Sequence, residues 1–268
     1  MSESGTTRAV TGPIHDRAGT IWRGSLPGLG SVEVAADGSV TVAADHPDGT
    51  GDEAAALLHG WGELLSFAHR GFAMAQGACL APPGSAPGAL LVCGDAHDVA
   101  AVVLSLTARD WALISDRPTP TRWEDGALVA HPRPAPLVVG ERMAAESGRT
   151  GTPVRAASTA VAVDVSRALS PAPVTRVVLV QRRRPDEDTF AMLTGHRRFE
   201  RAASLMLRGA LSPRTPQGVA PDEDALADDT ASVVAEHLRL AELPSAVVRI
   251  DTAGNDDAVH RLLEWWAG

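Results

Sequence analysis

The pattern of apolar and polar positions divides the chain into recognisable segments. Residues 1 to 20 are polar and without period, which predicts a flexible N-terminal arm. Ser31-Val32-Glu33-Val34-Ala35 and Ser39-Val40-Thr41-Val42-Ala43 alternate around Asp37-Gly38, the signature of a tight hairpin. After a Pro/Gly/Asp connector from His46 to Gly51, Leu57, Leu58, Trp61, Leu64, Leu65 and Ala68 recur at helical spacing. They predict a helix ending near Gly71, with its leucine face against the following sheet. Residues 21–70 therefore read as a small hairpin-plus-helix subdomain ahead of a larger domain over 71–268.

In that larger domain the apolar run Ala73 to Leu80, a Pro/Gly loop over 82–88, and Ala89-Leu90-Leu91-Val92-Cys93 predict buried strands. Val99 to Leu106 is apolar almost all round and reads as a buried helix, with Asp98 as its N-cap. Trp111 to Asp116 is the next expected strand, and Glu124-Asp125-Gly126 marks a hairpin within Thr121 to Ala130. Gly140 to Pro153 reads as a mobile loop. Strands are expected at Ala157 to Val165, Val174 to Val180 and Ala246 to Ile250, and helices at Phe199 to Leu207, Glu223 to Leu240 and Asp256 to Trp266. The acidic run Asp222-Glu223-Asp224 suits the start of the second of these helices. The predicted fold class is α/β, a mixed sheet with flanking helices.

Composition narrows the functional classes. With 268 residues and 44% hydrophobic content the chain can bury a substantial core. A formal net charge of −9 argues against a general attraction to nucleic acid or anionic membrane. No run approaches the ~20 apolar residues of a membrane span, and no basic-then-apolar N-terminus suggests export, so a cytoplasmic protein is expected. Cys79 and Cys93 fall in apolar segments that suit neighbouring strands, where buried free thiols are the expectation for a reducing compartment. Neither belongs to a zinc pair, and no metal site is expected. His15, His46, His59 and His69 have no nucleophile or ligand spacing, and no G-x-S-x-G elbow occurs.

The segment richest in chemical meaning is Gly94-Asp95-Ala96-His97-Asp98-Val99-Ala100-Ala101, which comes after an apolar strand and leads into an apolar helix. A phosphate-binding loop would read G-x-x-x-x-G-K-[ST], but Val99, Ala100 and Ala101 stand where the second glycine, the lysine and the hydroxyl belong. All 24 basic residues are arginine, so no distant lysine substitutes. Asp116 lies sixteen residues beyond the missing lysine position and closes the next strand.

Ala89 to Gly94, Asp110 to Asp116, Asp125-Gly126 and His131-Pro132-Arg133-Pro134 together resemble the catalytic domain of HPr kinase/phosphorylase, whose P-loop fold is shared with phosphoenolpyruvate carboxykinase. The resemblance runs most clearly from His69 to Val139 and more weakly to the C-terminal helix. It implies an HPr-kinase-like fold lacking a functional phosphate loop. Only one acid of the family's aspartate pair is present, as Asp116-Arg117. Asp95 and Asp98 would place carboxylates where phosphates bind, so Gly94, Asp95, His97, Asp98 and Asp116 form a vestigial site, with no catalytic residues and no cofactor expected. Two alternatives remain open: a divalent metal held by Asp95, His97, Asp98 and Asp116, and a nucleotide site rescued by Arg117 or Arg122.

Arg182-Arg183-Arg184 with Arg197, Arg198 and Arg201 forms the concentrated positive region of the chain, suited to an acidic partner or to neutralisation by Asp186, Glu187, Asp188 and Glu200. Trp265-Trp266 occupies adjacent positions of a helix, which cannot both face one core. These positions are the expected partner-binding residues. Degenerate relatives of HPr kinase accompany enzymes that modify ribosomally made peptides, and the chain is similar to the recognition or accessory proteins of such pathways, of which the daptide type is one. The resemblance implies a noncatalytic pseudokinase that binds a precursor peptide, a peptide-modifying partner such as an oxidoreductase, or both. The alternative is an ATP-dependent kinase with an altered phosphate loop.

Overall fold

The computed structural model describes residues 12–16, 19–26, 30–35, 37–44, 51–84, 87–133, 135–154, 159–204, 239–251 and 255–268. Its contacts divide the chain into two units, Met1–Ala73 with Arg208–Glu223 and Met74–Leu207 with Asp224–Gly268. Residues 1–11 of the expected arm, most of the 46–51 connector, Asp222 to Asp224 and the expected helix up to residue 238 lie outside the described residues.

In the first unit β1 (Gly12–Asp16), β2 (Gly19–Leu26), β3 (Gly30–Val34) and β4 (Val40–Ala44) form an antiparallel meander in that order. The β3–β4 hairpin matches its alternation, with Val34 opposite Val40 and the Ser39 N–H donating to Asp37 Oδ1 at 2.8 Å. The expectation of unstructured chain up to residue 20 fails from Gly12 onward. β1 is an edge strand, where Pro13 costs no ladder bond, and its pairing comes from β2 instead of from a pattern of its own.

Helix α1 (Gly51–His69) packs on the preceding hairpin, whereas the sequence predicts its leucine face against a following sheet. Val32 and Val34 are buried with Leu65, and Val40, Val42 and Trp61 pack around them. A two-strand surface cannot cover its own apolar face, and α1 is the nearest apolar stripe in sequence. The approach is close at Gly62, where an added Cβ would lie 2.3 Å from Val40 Cγ1 and 2.7 Å from Val32 Cγ2. Gly62→Val should therefore destabilise the protein by about 2 kcal/mol through overpacking, read as a lower urea midpoint with an unchanged slope.

The second unit is mixed α/β. Its strands are β5 (Ala73–Ala75), β6 (Gly77–Ala81), β7 (Ala89–Gly94), β8 (Ala112–Ser115), β9 (Thr119–Glu124), β10 (Ala127–Ala130), β14 (Ala172–Arg182), β15 (Phe190–Leu193) and β16 (Ser245–Ile250). They make one sheet in the order β5-β9-β10-β14-β7-β6-β8, with β16 pairing β14 and β15 pairing β16. A second sheet, in the order β11-β13-β12, contains β11 (Leu137–Gly140), β12 (Gly151–Pro153) and β13 (Ala160–Val163). Among the described residues the helices are α2 (Ala96–Thr107), α3 (Glu141–Glu146), α4 (Gly195–Ser204) and α5 (Asp256–Ala267), and residues 239–242 are also helical, at the end of the helix expected from Glu223.

Leu90 and Val92 of β7, Val178 and Val180 of β14, and Val248 and Ile250 of β16 meet Val99, Val102, Val103 and Leu106 of α2 in one buried core. Parallel strands buried on both faces are apolar at successive positions, which explains the apolar runs 89–93 of β7 and 177–180 of β14. Asp125 and Gly126, with φ of 48° and 82°, make the two-residue turn between β9 and β10. Cys79 and Cys93 are free and buried, and burial pushes both thiols well above their ordinary range.

Three expectations change. Gly140 to Pro153 is not an open loop, because it holds α3 and then β12, which pairs with β13 from Gly151↔Val163 to Pro153↔Val161. The helix expected from Phe199 to Leu207 begins at Gly195, and residues 205–207 lie outside the described set. The helix expected from Val99 begins at Ala96, three residues early. Among the described residues no helix is long and apolar enough to cross a membrane.

Candidate functional site

The parallel strands β7 and β14 run in register from Val177↔Leu91 to Val180↔Gly94, so Gly94 and Arg182 emerge at the same end of the sheet. β6 is antiparallel to β7 and β8 antiparallel to β6, which brings the end of β8 and Asp116 to that end as well. The crevice beyond the carboxyl ends of parallel strands is where α/β sheets bind ligands. In this protein its polar groups are engaged with one another.

Gly94 has φ of 145°, and a Cβ there would lie 2.5 Å from the Val180 carbonyl oxygen. The first loop glycine is thus required by strand contact, independently of any phosphate. Asp95, not Asp98, is the N-cap of α2: its Oδ1 accepts from the His97 N–H at 2.9 Å, and its carbonyl accepts from Val99 N at 2.9 Å. Aspartate at the cap and again at the third helical position both favour this start, since each places negative charge on unpartnered N–H groups. The helix therefore begins directly after the strand, and residues 96–100 are helical where a phosphate loop would wrap an anion.

Asp98 is only 3% exposed, and its Oδ1 lies 2.5 Å from the Arg182 guanidinium. Asp116 is also buried; Arg117 Nε donates to its Oδ1 at 3.1 Å, while Arg117 Nη1 donates to the Ala96 carbonyl. Arg117 stands where the resemblance would place a second acid, and it ties the end of β8 to the first turn of α2. Val99 and Ala100 are buried in the core and Ala101 packs against it. A longer cation at position 100 would start inside that core, facing away from the crevice.

The structure brings Asp95, Asp98, Asp116, Arg117 and Arg182 to one end of the sheet, and leaves His97 exposed. Among the described residues no group of three or more acidic, histidine or cysteine side chains is arranged to hold a metal ion. Arg122 points to Glu124, with Nη2 at 2.6 Å, and His131 Nε2 lies 3.0 Å from the same carboxylate. Arg122 and then His131 hold the Glu124 carboxyl below its usual range.

The other sequence candidates separate. Arg183 Nε donates to the Glu187 carbonyl at 3.0 Å, the Arg184 backbone N–H reaches the Glu187 carboxylate at 3.2 Å, and Arg249 pairs with Glu187 at 3.3 Å. The guanidinium of Arg184 and that of Arg197 are exposed. Arg198 donates to the Leu243 carbonyl at 3.5 Å. Both tryptophans of α5 are half-buried: Trp266 meets Trp111 edge-on at 5.0 Å, Trp265 meets Phe190 at 5.7 Å, and the Arg176 guanidinium lies over both rings at 5.1 and 5.2 Å. The helix turns both rings inward because Arg176 fills the angle between them, a contact that adjacent positions alone do not reveal.

No local spacing rule links Arg182 to Asp98 or Arg117 to Ala96, so neither pair is visible in the sequence. The Asp95-x-x-Asp98 spacing is the signal that points to the observed cap. No family model matches the chain, and no curated protein matches it.

Proposed function

We propose that the chain is a noncatalytic, HPr-kinase-like accessory protein of ribosomal peptide biosynthesis, binding a precursor peptide, a peptide-modifying enzyme, or both. The observation that supports the absence of catalysis is the closure of the strand-end crevice by the Arg182–Asp98 pair and the Arg117 bridge between Asp116 and Ala96. Phosphoryl transfer requires positioned cations on the phosphates and a magnesium ligand set. Here the two arginines are already bound to carboxylates and a carbonyl, and the helix N-terminus is capped by Asp95. The placement in peptide biosynthesis rests on the resemblance of Ala89 to Gly94 and Asp110 to Asp116 to degenerate kinases of those pathways.

A second reading, a kinase with an altered loop, draws on the same arginines: a phosphate could replace Asp98 and Asp116 as their partner. Co-expression with a candidate peptide-modifying enzyme and its precursor peptide separates the two. A complex that survives gel filtration without nucleotide is the expected result. ATP-dependent phosphorylation of either partner would replace the accessory reading with the kinase reading.

A further inference from the structure

β15 is the outer strand of its side of the sheet, and among the described residues it pairs only with β16. Its register sets Phe190 opposite Val248 and Leu193 opposite Ser245, and the Arg249 N–H donates to the Thr189 carbonyl at 2.8 Å. In an antiparallel ladder hydrogen-bonded pairs alternate, so Thr189, Ala191 and Leu193 direct their backbone groups to β16. The N–H and C=O of Phe190 and Met192 point away from it. Met192 is 50% exposed, among the most exposed large apolar side chains described. A short edge with outward donors and an uncovered apolar side chain is a template for strand addition.

The segment after β15 selects the partner. Helix α4 begins at Gly195, two residues beyond the strand, and its first turn carries His196, Arg197 and Arg198 with no acidic residue. Cations at a helix N-terminus oppose the helix dipole, a local arrangement that an incoming anion relieves. Glu200 is engaged with His196 at 3.0 Å, and Arg198 with the Leu243 carbonyl, whereas the Arg197 guanidinium is exposed. At the other end of β15 the exposed Asp186 and Asp188 offset Arg183 and Arg184. The first turn of α4, at the Leu193 end, thus presents Arg197 with no acidic residue in that turn, whereas Asp186, Glu187 and Asp188 lie at the other end.

We propose that β15 receives an extended peptide segment that pairs with Phe190 and Met192 and places an acidic residue beside Arg197 at the start of α4. The proposal rests on the peptide-binding reading and gives it a surface: Arg197 and the strand edge, with Arg182 paired to Asp98 and Trp265 and Trp266 packed with Arg176, Phe190 and Trp111. The segment contributes backbone hydrogen bonds at two residues, an apolar contact with Met192, and one charge-assisted pair.

The test is fluorescence anisotropy on the full chain, with labelled peptides of alternating valine and threonine carrying glutamates at one end or the other. The glutamate peptides should bind with a salt-sensitive affinity, and lysine counterparts should not. Met192→Pro removes an outward N–H without breaking the β16 ladder, and should weaken binding about tenfold, as should Arg197→Glu. If Met192→Pro fails to fold by circular dichroism, N-methylation of the peptide amides that face the edge gives the same readout on the unaltered protein. Equal binding of lysine peptides, or affinity unchanged by both Met192→Pro and peptide N-methylation, overturns the proposal. A dimer that Met192→Pro dissociates would assign the edge to a second copy and also overturn it. Failure here leaves the accessory reading intact, because a nucleotide-free partner complex does not require β15. Conversely, phosphorylation of a partner would remove the accessory reading without touching the peptide result.

Discussion

Gly94→Ala is expected to destabilise the protein by about 3 kcal/mol or more, the sum of a backbone forced into a glycine conformation and a hard steric contact. At φ of 145° an L side chain is strained whatever surrounds it. The Cβ would also sit 2.5 Å from the Val180 carbonyl oxygen and 3.3 Å from its carbon, both backbone atoms of the adjoining parallel strand. Neither strand can retreat, because β14 is paired with β7 on one side and β16 on the other, and all three carry core side chains. A urea titration should show a lower midpoint with an unchanged slope. This glycine is thus a structural requirement of the β7–β14 junction. A variant as stable as the parent would mean that the two strands do not meet at this point.

The second large effect concerns the ion pair that closes the crevice. Arg182→Ala leaves the Asp98 carboxylate buried without its cation, and should cost about 2 kcal/mol. That lies below the roughly 3 to 5 kcal/mol typical of a fully buried pair because the Arg182 side chain is 44% exposed and water can reach its position. Asp98→Ala should cost less, since the freed arginine rehydrates, although a favourable charge at the start of α2 is lost. The asymmetry is the informative part: the more buried partner suffers more from being left alone. Replacing both by apolar residues of similar size, as Asp98→Leu with Arg182→Met, should recover most of the loss. A double-mutant cycle in urea measures the coupling directly. Additive effects of the single substitutions would show that the two charges do not depend on one another.

Much of the second unit is legible in the sequence wherever one period dominates. β7 over 89–93 and the centres of β14 and β16, over 177–180 and 246–248, are apolar runs buried on both faces of the sheet, and the β9–β10 turn is announced by Asp125-Gly126. α5 tracks its apolar stripe from Asp256 onward. The elements without a sequence signal are short, and their stability comes from neighbours. β15 has four residues after an acidic turn, and β1 has no apolar alternation. α3 has six residues, lies in a glycine-containing stretch, and packs on β11 and β13. In each case pairing or packing from elsewhere overrides a weak local preference.

The candidate site divides the same way. The strand, helix and strand that carry Gly94, Asp98 and Asp116 are evident from periodicity, and the sequence itself shows Val99, Ala100 and Ala101 where a G-K-[ST] motif would stand. Periodicity does not supply the replacement. Asp98 reads as a cap because it precedes the apolar run, but Asp95 takes that place and frees Asp98 to meet Arg182. Arg182 reads as part of a surface patch with Arg183 and Arg184. Its position as the last residue of β14, beside the strand that ends at Gly94, turns it into the crevice instead. Such a pairing depends on strand order, which a single sequence does not encode locally.

The measurement that bears most directly on the closed crevice is isothermal titration of the intact protein with ATP and magnesium. No saturable heat is expected at millimolar nucleotide, either in the parent or in Asp116→Ala. Micromolar binding that Asp116→Ala abolishes would contradict a crevice closed by its own ion pairs.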